Sequence, residues 1–464
     1  MILKAKLFGQ VYEFKDVKDV LAKANELKSG DQLAGIAAET MQERIAAKQC
    51  LANLTIKDIY ENPVAPYEED SVTRIIQDGI NFTIYDEIKN WTIAKLREFI
   101  LDDHVTGDQI NHVAAGLSSE VVAAVTKLMS SLDLMIGARK LPIYRTCVTT
   151  CGAPDRLSFR LQPNHTTDDV EGMKVSYCEG FSYCTGDALF GMNPVDDSLG
   201  AVERTMNSYQ EFVERWEIPT QSCCLCHVTT AMECIKNGAR EALCFQSIAG
   251  SQIANEAFGI TPEMLDEAED LMHHYGVAHG PDVLYFETGE GAELSSDGHW
   301  GADELTMEAR CYGFAKRYHP FLNDSVVGFI GPEYLYDAKQ VARAGMEDMF
   351  MGKLSGVSMG CDACYTNHMK CDQNDNENLQ ILLAAEGCNF FMGVPCADDC
   401  MLMYQSTGYH DNHATRQALG KKPLAEFEKW AQKMGFLEED GLTLGPNAGD
   451  ASVLFSSEKR VKFI

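Results

Sequence analysis

The chain has 464 residues, of which 45% are hydrophobic and 23% are charged, a balance close to that of average soluble globular proteins. Its length predicts about three domains, or one large barrel with extensions. With 39 Lys and Arg residues against 69 Asp and Glu residues, the formal net charge is −30. Nucleic-acid binders and polybasic membrane anchors need clustered positive charge, so both classes are excluded, whereas a cationic small-molecule substrate fits.

The N-terminus and the cysteine content predict a soluble, cytoplasmic protein. The opening segment MILKAKLFGQVYEF lacks the pattern of a signal peptide. The longest weakly charged stretch, residues 379–397, is interrupted by Glu386, Asn389 and Pro395, so we expect no membrane span. The chain has 17 cysteines, an odd number, and in a long chain without a secretion signal they are expected to be free thiols.

Residues 1–145 predict a mainly helical region after a short opening strand. Asp16 is expected to begin a helix through VKDVLAKANEL, and Asp31 a second helix that continues to Leu54. Thr92 is expected to cap a third helix through IAKLREFIL. A further helix is expected to open at Ser118, with its aliphatic residues on one face as part of the core.

Residues 146–430 alternate short apolar runs with helical patterns. The eight runs predicted as strands are Ser158–Leu161, Ala188–Met192, Ser222–His227, Ala242–Gln246, Val283–Phe286, Val326–Ile330, Leu354–Met359 and Asn389–Val394. Strands that alternate with helices indicate a parallel sheet, and eight such units in roughly 240 residues are typical of a closed barrel. The predicted fold class is therefore α/β, a (β/α)8 TIM-type barrel preceded by an N-terminal mainly helical region. A doubly wound open sheet is the alternative, and residues 431–464 are expected to form a C-terminal extension.

In such a barrel the catalytic residues lie at the carboxyl ends of the strands. The polar residues that the sequence places at those ends are Arg160, Gln162, Asn193, His227, Gln246, Glu287 and Asp362. Carboxylates can hold an ammonium group, and guanidinium and amide groups can bind oxygen. These residues therefore predict a small polar substrate that carries a positive charge and a hydroxyl.

The sequence does not predict a metal site. Cys361, Cys364, His368 and Cys371 are the ligand types of a zinc or iron–sulfur site, but structural zinc usually uses two separated pairs of ligands. Residues 223–227 form a weaker cluster, because alternate strand positions face opposite sides. Buried thiols are the favoured interpretation of both clusters.

A serine esterase-like hydrolase is the alternative enzyme. Gly356-Val-Ser358-Met-Gly360 fits the nucleophile elbow G-x-S-x-G. Asp398 or Asp399, followed by His410 or His413, would supply the chain order of the triad. The elbow needs a helix directly after the serine, however, and the sequence CDACYTNH lacks helical periodicity.

Several long motifs carry a resemblance to a known family, and they are FRLQPN, GMNPV, LYFETGEG, FIGPEYLY and GKLSGVSMGCDACYTNH. With them, the chain closely resembles the large (heavy) subunit of ethanolamine ammonia-lyase, from LFGQVYEF to about Trp430. The resemblance implies an adenosylcobalamin-dependent catalytic subunit that converts ethanolamine to acetaldehyde and ammonia by a radical 1,2-amino shift. It also implies a (β/α)8 barrel behind an N-terminal helical region. A non-catalytic assembly component is a further alternative. Loss of Glu287 and Asp362 would favour it, and both residues are present.

The resemblance implies roles for individual residues. On the matching positions, the substrate contacts would be Arg160, Gln162, Asn193, Glu287 and Asp362. Glu287 and Asp362 are expected to hold the ammonium group, while Arg160 favours the polarity that develops on the hydroxyl side. The cofactor contacts would be Pro194, Gln246, Ser295 and Met401.

The resemblance also implies partners. The chain lacks the D-x-H-x-x-G motif of proteins that replace the cobalamin base with a histidine, because the segment from Asp297 to Ala302 ends in Ala. This fits base-on binding, with the corrin between this chain and a separate small (light) subunit and with cobalt only within the corrin. We expect a hetero-oligomer with several copies of each chain, inside an ethanolamine-utilisation bacterial microcompartment. A reactivating factor is a further candidate partner.

Overall fold

A hairpin and a set of helices precede the barrel. The structure, a computed structural model, describes residues 3–400 and 403–455. The hairpin pairs β1 (Lys4–Leu7) with β2 (Gln10–Glu13). The helices that follow it are α1 (Val17–Ala24), α2 (Ser29–Leu33), α3 (Met41–Asn53), α4 (Ile56–Tyr60), α5 (Ser71–Asp78), α6 (Phe82–Ile88), α7 (Ile93–Leu101), α8 (Gly107–Ala114), α9 (Ser119–Lys127) and α10 (Ser131–Arg139). A second hairpin, β3 (Arg145–Thr146) and β4 (Thr150–Cys151), leads into the barrel.

Three of the predicted helix starts, at Asp16, Thr92 and Ser118, are confirmed, and one is wrong. The carboxylate of Asp16 accepts from the Asp19 backbone N–H at 2.8 Å, and the Thr92 hydroxyl accepts from the Lys95 N–H at 3.1 Å. Asp31 does not begin the second long helix, because it lies inside α2 and Thr40 caps α3. The buried Asp31 carboxylate instead accepts from the backbone N–H of Glu304, at 2.9 Å. Asp31, whose local sequence is typical of a helix N-cap, therefore makes a tertiary contact instead.

Eight parallel strands form the barrel. They are β5 (Ser158–Leu161), β6 (Leu189–Met192), β7 (Ser222–Cys224), β8 (Cys244–Ser247), β9 (Leu284–Thr288), β10 (Leu322–Val326), β11 (Met359–Asp362) and, after the short β12 (Tyr365–Thr366), β13 (Phe390–Gly393). The order of hydrogen-bonded neighbours is β7-β6-β5-β13-β11-β10-β9-β8. The two ends of this order meet, because the backbone N–H groups of Ala242 and Leu243, just before β8, both donate to the Ser222 carbonyl at 3.1 Å. The predicted (β/α)8 barrel is thus confirmed.

Two of the predicted strands are misplaced. The sixth was predicted at Val326–Ile330 but lies at Leu322–Val326, and the seventh was predicted at Leu354–Met359 but lies at Met359–Asp362. Both observed strands carry polar side chains, such as Asp324 in β10, that lie inside the barrel near other polar groups. Apolar runs beside these strands are more hydrophobic than the strands themselves, and this difference displaced the prediction.

Helices surround the barrel and extend it. They are α11 (Val170–Ser182), α12 (Leu199–Trp216), α13 (Val228–Lys236), α14 (Gln252–Ala257), α15 (Pro262–Tyr275), α16 (Ala292–Ser295), α17 (Glu304–Ala315), α18 (Ala338–Leu354), α19 (Gln373–Glu386), α20 (Tyr409–Leu419) and α21 (Ala425–Met434). A small antiparallel sheet joins β12 to β14 (Asp398–Asp399) and β15 (Tyr404–Gln405) above the carboxyl ends of the strands. None of the helices in the described part of the chain is both long and apolar enough to cross a membrane.

The N-terminal helices share a core with the barrel helices. α9 packs on α17 and α10 packs on α18, within one continuous cluster of buried apolar side chains. Each aliphatic side chain buried there contributes about 1.5–3 kcal/mol. Arg310 of α17 adds two fully buried ion pairs, since its guanidinium donates to Glu120 Oε1 at 2.6 Å and to Asp70 Oδ1 at 3.0 Å. These contacts fix the N-terminal helices against the side of the barrel.

Candidate active site

A cavity of 380 Å³ opens at the carboxyl ends of the barrel strands. Six of the seven polar residues predicted at strand ends line it, and they are Arg160, Asn193, His227, Gln246, Glu287 and Asp362. The seventh, Gln162, lies beside the cavity and accepts a hydrogen bond from the Arg160 guanidinium. The barrel therefore brings together residues that are up to 202 positions apart in the sequence, because parallel strands end at the same face.

Arg160 of β5 is the centre of the polar network. It is fully buried, and its Nη1 donates to Glu287 Oε1 at 2.5 Å and to the Tyr285 hydroxyl at 2.7 Å. Its Nη2 donates to Asn193 Oδ1 at 2.9 Å as well as to Gln162. Burial alone would lower the pKa of Arg160, but Tyr285, Glu287 and Asp324 together raise it. The guanidinium therefore remains charged.

Glu287 and Tyr285 lie two residues apart on β9, so their side chains point to the same side of the strand. The Tyr285 hydroxyl donates to Glu287 Oε1 at 2.7 Å, and the same oxygen accepts from Arg160. The Glu287 side chain keeps 14% of its surface exposed, whereas that of Arg160 keeps 1%. Glu287 is therefore more open to a molecule in the cavity than Arg160 is.

Asp362, the last residue of β11, is held by two hydroxyl groups. Tyr404 Oη donates to its Oδ2 at 2.7 Å, and Ser406 Oγ donates to its Oδ1 at 2.5 Å. Burial raises the pKa of Asp362 to about 6, although Ser406, Tyr404 and Arg160 act in the opposite direction. The carboxylate is therefore ionised at neutral pH and becomes protonated in mildly acidic solution.

Asp324 is a member of the network that the sequence did not predict. It lies opposite Glu287 in the β9–β10 register, and its Oδ2 is 3.2 Å from the Tyr285 hydroxyl and 3.9 Å from Arg160 Nη1. Burial, followed by the charges of Glu287 and Asp362, raises its pKa well above the ordinary value. With the sixth strand at Leu322–Val326, Asp324 is a polar residue in the middle of a buried strand, and this position is the signal that would have identified it.

Asn164, in the loop that follows β5, and Asp399, in β14, support the network. Gln162 Nε2 donates to Asp399 Oδ2 at 2.5 Å, and Asn164 Nδ2 donates to the same atom at 2.8 Å. Asn164 Oδ1 also accepts from the backbone N–H of Asn193 at 3.1 Å. Asp399 appeared in the sequence only as a hydrolase candidate, whereas the structure places it against two residues of the motif FRLQPN.

The residues predicted to contact a cofactor are distributed differently. Gln246 lines the cavity, and its Oε1 accepts from the Val228 backbone N–H at 2.9 Å. Pro194 directly follows Asn193 and is partly exposed, and Ser295 is exposed at the end of α16. Met401 lies outside the described residues.

The wall of the cavity is mostly apolar. Leu225, Phe245 and Phe258 contribute on one side, and Val326 and Phe329 contribute from β10 and the segment that follows it. A few oriented polar groups in an apolar wall are typical of small-molecule sites. Water is poorly accommodated against such a wall, which strengthens the electrostatic interactions made by the polar groups.

The hydrolase triad is not assembled among the described residues. Ser358 precedes β11, at the amino end of the barrel, and a strand rather than a helix follows it. Its hydroxyl lies 3.5 Å from Cys151 Sγ and accepts from Asn389 Nδ2 at 3.0 Å. The ring of His410 lies instead against Tyr183, with the ring centroids 4.1 Å apart.

The cysteines do not form a metal cluster in the described part of the chain, where no group of three or more His, Cys, Asp and Glu side chains could hold a metal ion. All 17 cysteines have free thiols. Burial raises the pKa of the thiols of Cys361 and Cys364 well above the ordinary value. These two cysteines are therefore neutral thiols within the barrel.

Comparisons with known proteins agree along nearly the whole chain. A family model described as "Ethanolamine ammonia lyase large subunit (EutB)" matches residues 12–444. The ethanolamine ammonia-lyase large subunit of Escherichia coli (strain K12) is 52% identical over 455 residues, which are 98% of this chain and 100% of that protein. The large subunit of Salmonella typhimurium (strain LT2) is 53% identical over the same shares of the two chains. The matched range contains every residue of the polar network.

Proposed function

Because this chain belongs to the family of ethanolamine ammonia-lyase large subunits, we propose that its cavity binds ethanolamine through Arg160, Glu287 and Asp362. The resemblance in the sequence motifs is thereby confirmed, and the chain is an ammonia-lyase that acts on ethanolamine. The assignment of the site rests on one observation: these three side chains come from β5, β9 and β11 and line a single cavity.

Glu287 and Asp362 bind the ammonium group in this proposal. An ionised carboxylate offers about four acceptor positions, so each of them can accept from an ammonium in addition to its protein donors. A hydrogen bond between charged groups contributes about 1.5–3 kcal/mol. Since the two carboxylates extend from different strands into one cavity, an ammonium that moves between adjacent carbon atoms remains near a negative charge.

Arg160 and Asn193 bind the hydroxyl side. Among the described residues, Arg160 Nε is buried without a hydrogen-bond partner. This N–H is therefore not used within the protein and is left to donate to a substrate oxygen. Gln162 and Asn193 hold the rest of the guanidinium in place through their side-chain oxygens. A donor that is fixed before the reaction stabilises negative charge developing on the substrate oxygen without a cost of reorganisation.

The cavity has room beside the substrate for the nucleoside of adenosylcobalamin, the proposed cofactor. At about 30 Å³ for each water-sized group, ethanolamine needs on the order of 100 Å³, and the 380 Å³ cavity leaves most of its space for a second group. Its apolar wall and the neutral amide of Gln246 suit an uncharged nucleoside and the amide-bearing rim of a corrin. Gln246, Pro194 and Ser295 would hold the cofactor, together with Met401 outside the described residues. When bound, adenosylcobalamin supplies an organic radical by homolysis of its cobalt–carbon bond.

A small subunit is proposed to cover the mouth of the barrel. Val195, directly after Pro194, and Phe329, on the cavity wall, are 50% and 39% exposed, and exposed apolar side chains at the edge of a cavity are typical of a surface that meets a partner. The relatives are named as large subunits, which supports the existence of a smaller one. We extend the proposal to a hetero-oligomer inside an ethanolamine-utilisation microcompartment, with a reactivating factor as a further partner.

The test is to co-express the chain with a candidate small subunit and to measure ammonia released from ethanolamine, with and without adenosylcobalamin. We expect release only from the complex and only with the cofactor. The control is the chain purified alone, which should be inactive because one side of the corrin site is missing. Robust turnover by the chain alone would contradict the partner assignment, and absence of turnover in a stable, cofactor-loaded complex would contradict the proposed site.

A further inference from the structure

A second cavity lies at the amino-terminal end of the barrel strands, opposite the active-site mouth. Its volume is 410 Å³, and it lies between the ends of α10, α18 and α19 and the segment before β5. We define this basal cavity by Arg139, Lys353, Gly387 and Lys421, which all line it. Lys353 and Gly387 precede β11 and β13, whereas Asp362 ends β11, so the two cavities lie at opposite ends of the strands.

The basal cavity is positively charged, although the whole chain carries a formal charge of −30. Lys353 Nζ donates to the Gly387 carbonyl, and Lys421 Nζ donates to the Pro154 carbonyl, both at 2.9 Å. Arg139 has no hydrogen-bond partner within residues 3–400 and 403–455, and over the same residues none of the three cations forms an ion pair. Carbonyl oxygens satisfy the lysine donors but supply no negative charge.

The acidic groups near the cavity do not neutralise it. Asp155 is paired with Arg156 at 3.7 Å and is largely exposed to solvent. Burial raises the pKa of the nearby Glu386 well above its ordinary value, against the opposing charge of Lys353. Glu386 is fully buried and does not line the cavity, whereas Arg139, Lys353 and Lys421 do.

The cations also act on one another. Burial is the largest cause that lowers the pKa of Lys353 to about 8, and Lys421 and Arg139 lower it further, while Glu386 and Cys388 act in the opposite direction. Burial, with a contribution from Arg139, also lowers the pKa of Lys421. Cations held together without ion-pair partners cost free energy, and an anion bound between them would offset this cost.

Gly387 shows how closely the chain approaches Lys353. Its φ of +100° is a left-handed conformation that ends α19 and that favours glycine. A Cβ atom at this position would lie 2.8 Å from Lys353 Nζ. A side chain at this position would therefore crowd the ammonium group.

We propose that the basal cavity binds a small anion with a phosphate group, of the phosphate-monoester type. Such a group carries about −1.5 to −2 charges at neutral pH, which matches three clustered cations better than a single carboxylate does. Lysine binds phosphate oxygens as a point charge, and arginine can bind two of them side by side. The volume of 410 Å³ lies in the range of small-molecule sites, so it accommodates the group to which the phosphate is attached.

The test is isothermal titration calorimetry on the complex of the full chain with its small subunit, with AMP and inorganic phosphate as probes. We expect saturable binding of at least one of them, weakened about ten-fold or more when Arg139→Gln and Lys421→Gln are combined. The matched control is Lys316→Gln, which removes a cation that also lacks an ion pair in the described structure but lines a different cavity. This control should leave the Kd within about two-fold of the wild-type value.

A second readout follows the protonation of Lys353. A bound anion raises its pKa from about 8, so AMP binding at pH 8 should take up protons and release different heats in buffers of unlike ionisation enthalpy. Equal heats would overturn the assignment of Lys353.

Because Arg139 is exposed, Arg139→Gln alone provides the test if the double variant misfolds. No binding of either probe at millimolar concentration, or equal binding to the variants and the wild type, would overturn the proposal. No turnover is needed, so this result does not depend on the proposed substrate or cofactor.

Discussion

Glu287→Gln is the change that most directly tests the chemistry of the mouth. Glutamine has the same shape, and its side-chain oxygen can still accept from Arg160 and from Tyr285, as Glu287 Oε1 does at 2.5 and 2.7 Å. The substitution therefore removes a negative charge and leaves the surrounding contacts in place. What is lost is the charge-assisted hydrogen bond to the ammonium group of ethanolamine.

The expected loss follows from the strength of that bond. A hydrogen bond to a charged group contributes about 1.5–3 kcal/mol, and 1.36 kcal/mol corresponds to a factor of ten, so kcat/KM should fall about ten- to 150-fold. If the charge also stabilises the migrating amino group, kcat falls by more than the substrate affinity does. The structure adds a second signature. Glu287 raises the pKa of Asp362, so the acidic limb of the pH profile should move to lower pH in the variant.

The assay is steady-state ammonia release from ethanolamine by the complex with the small subunit, measured across a range of pH. The matched control is Ser358→Ala, because Ser358 is buried at the opposite end of the barrel and should leave kcat within a few-fold of the wild-type value. Near-normal kcat/KM in Glu287→Gln would refute the assignment of the ammonium site. Abolished turnover in Ser358→Ala would mean that the chemistry lies elsewhere.

Two further predictions follow from the buried charges. Asp362 has a pKa of about 6 and must be ionised to hold an ammonium group, so kcat/KM should decrease as the pH falls through about 6. Asp362→Asn should lose about ten-fold or more at neutral pH and should lack this limb, and an unchanged profile would contradict the role of Asp362. Arg310→Met leaves Asp70 and Glu120 buried without their partner, so urea unfolding should show a loss of about 3–5 kcal/mol. The exposed pair of Arg317 is the control, since Arg317→Gln should cost about 1 kcal/mol or less, and equal losses in the two variants would refute the reasoning.

The success of strand prediction depended on which side chains face the barrel interior. β5, β6 and β13 are strands whose apolar residues stand out, and their predicted positions agree with the structure to within a residue at each end. β10 carries Asn323, Asp324 and Ser325 in succession, all fully buried. Hydrophobicity does not recognise such a strand, because its polar side chains are buried against distant segments: Asp324 lies beside Tyr285 of β9, and Ser325 donates to Asp348 of α18.

The site was predicted in part for a related reason. The rule that catalytic groups follow the strands of a parallel barrel predicted Arg160, Glu287 and Asp362, and these side chains line one cavity. It missed Asp324, because the sixth strand was predicted at Val326–Ile330 and lies at Leu322–Val326. It also missed Tyr404, which donates to Asp362 from 42 residues further along the chain. The residues that orient and tune the site follow no local pattern.

The sequence by itself determined the alternation of strands and helices, the polar residues at the strand ends and, through its long motifs, the family. These features are local, since each depends on neighbouring residues and on periodicity. Only the tertiary structure decided that Asp31 accepts from a backbone N–H 273 residues away, or that burial raises the pKa of Asp362 to about 6. Hydrogen-bond partners and pKa values depend on distances and on exclusion of water between segments far apart in the chain. Those quantities are defined only once the barrel has closed.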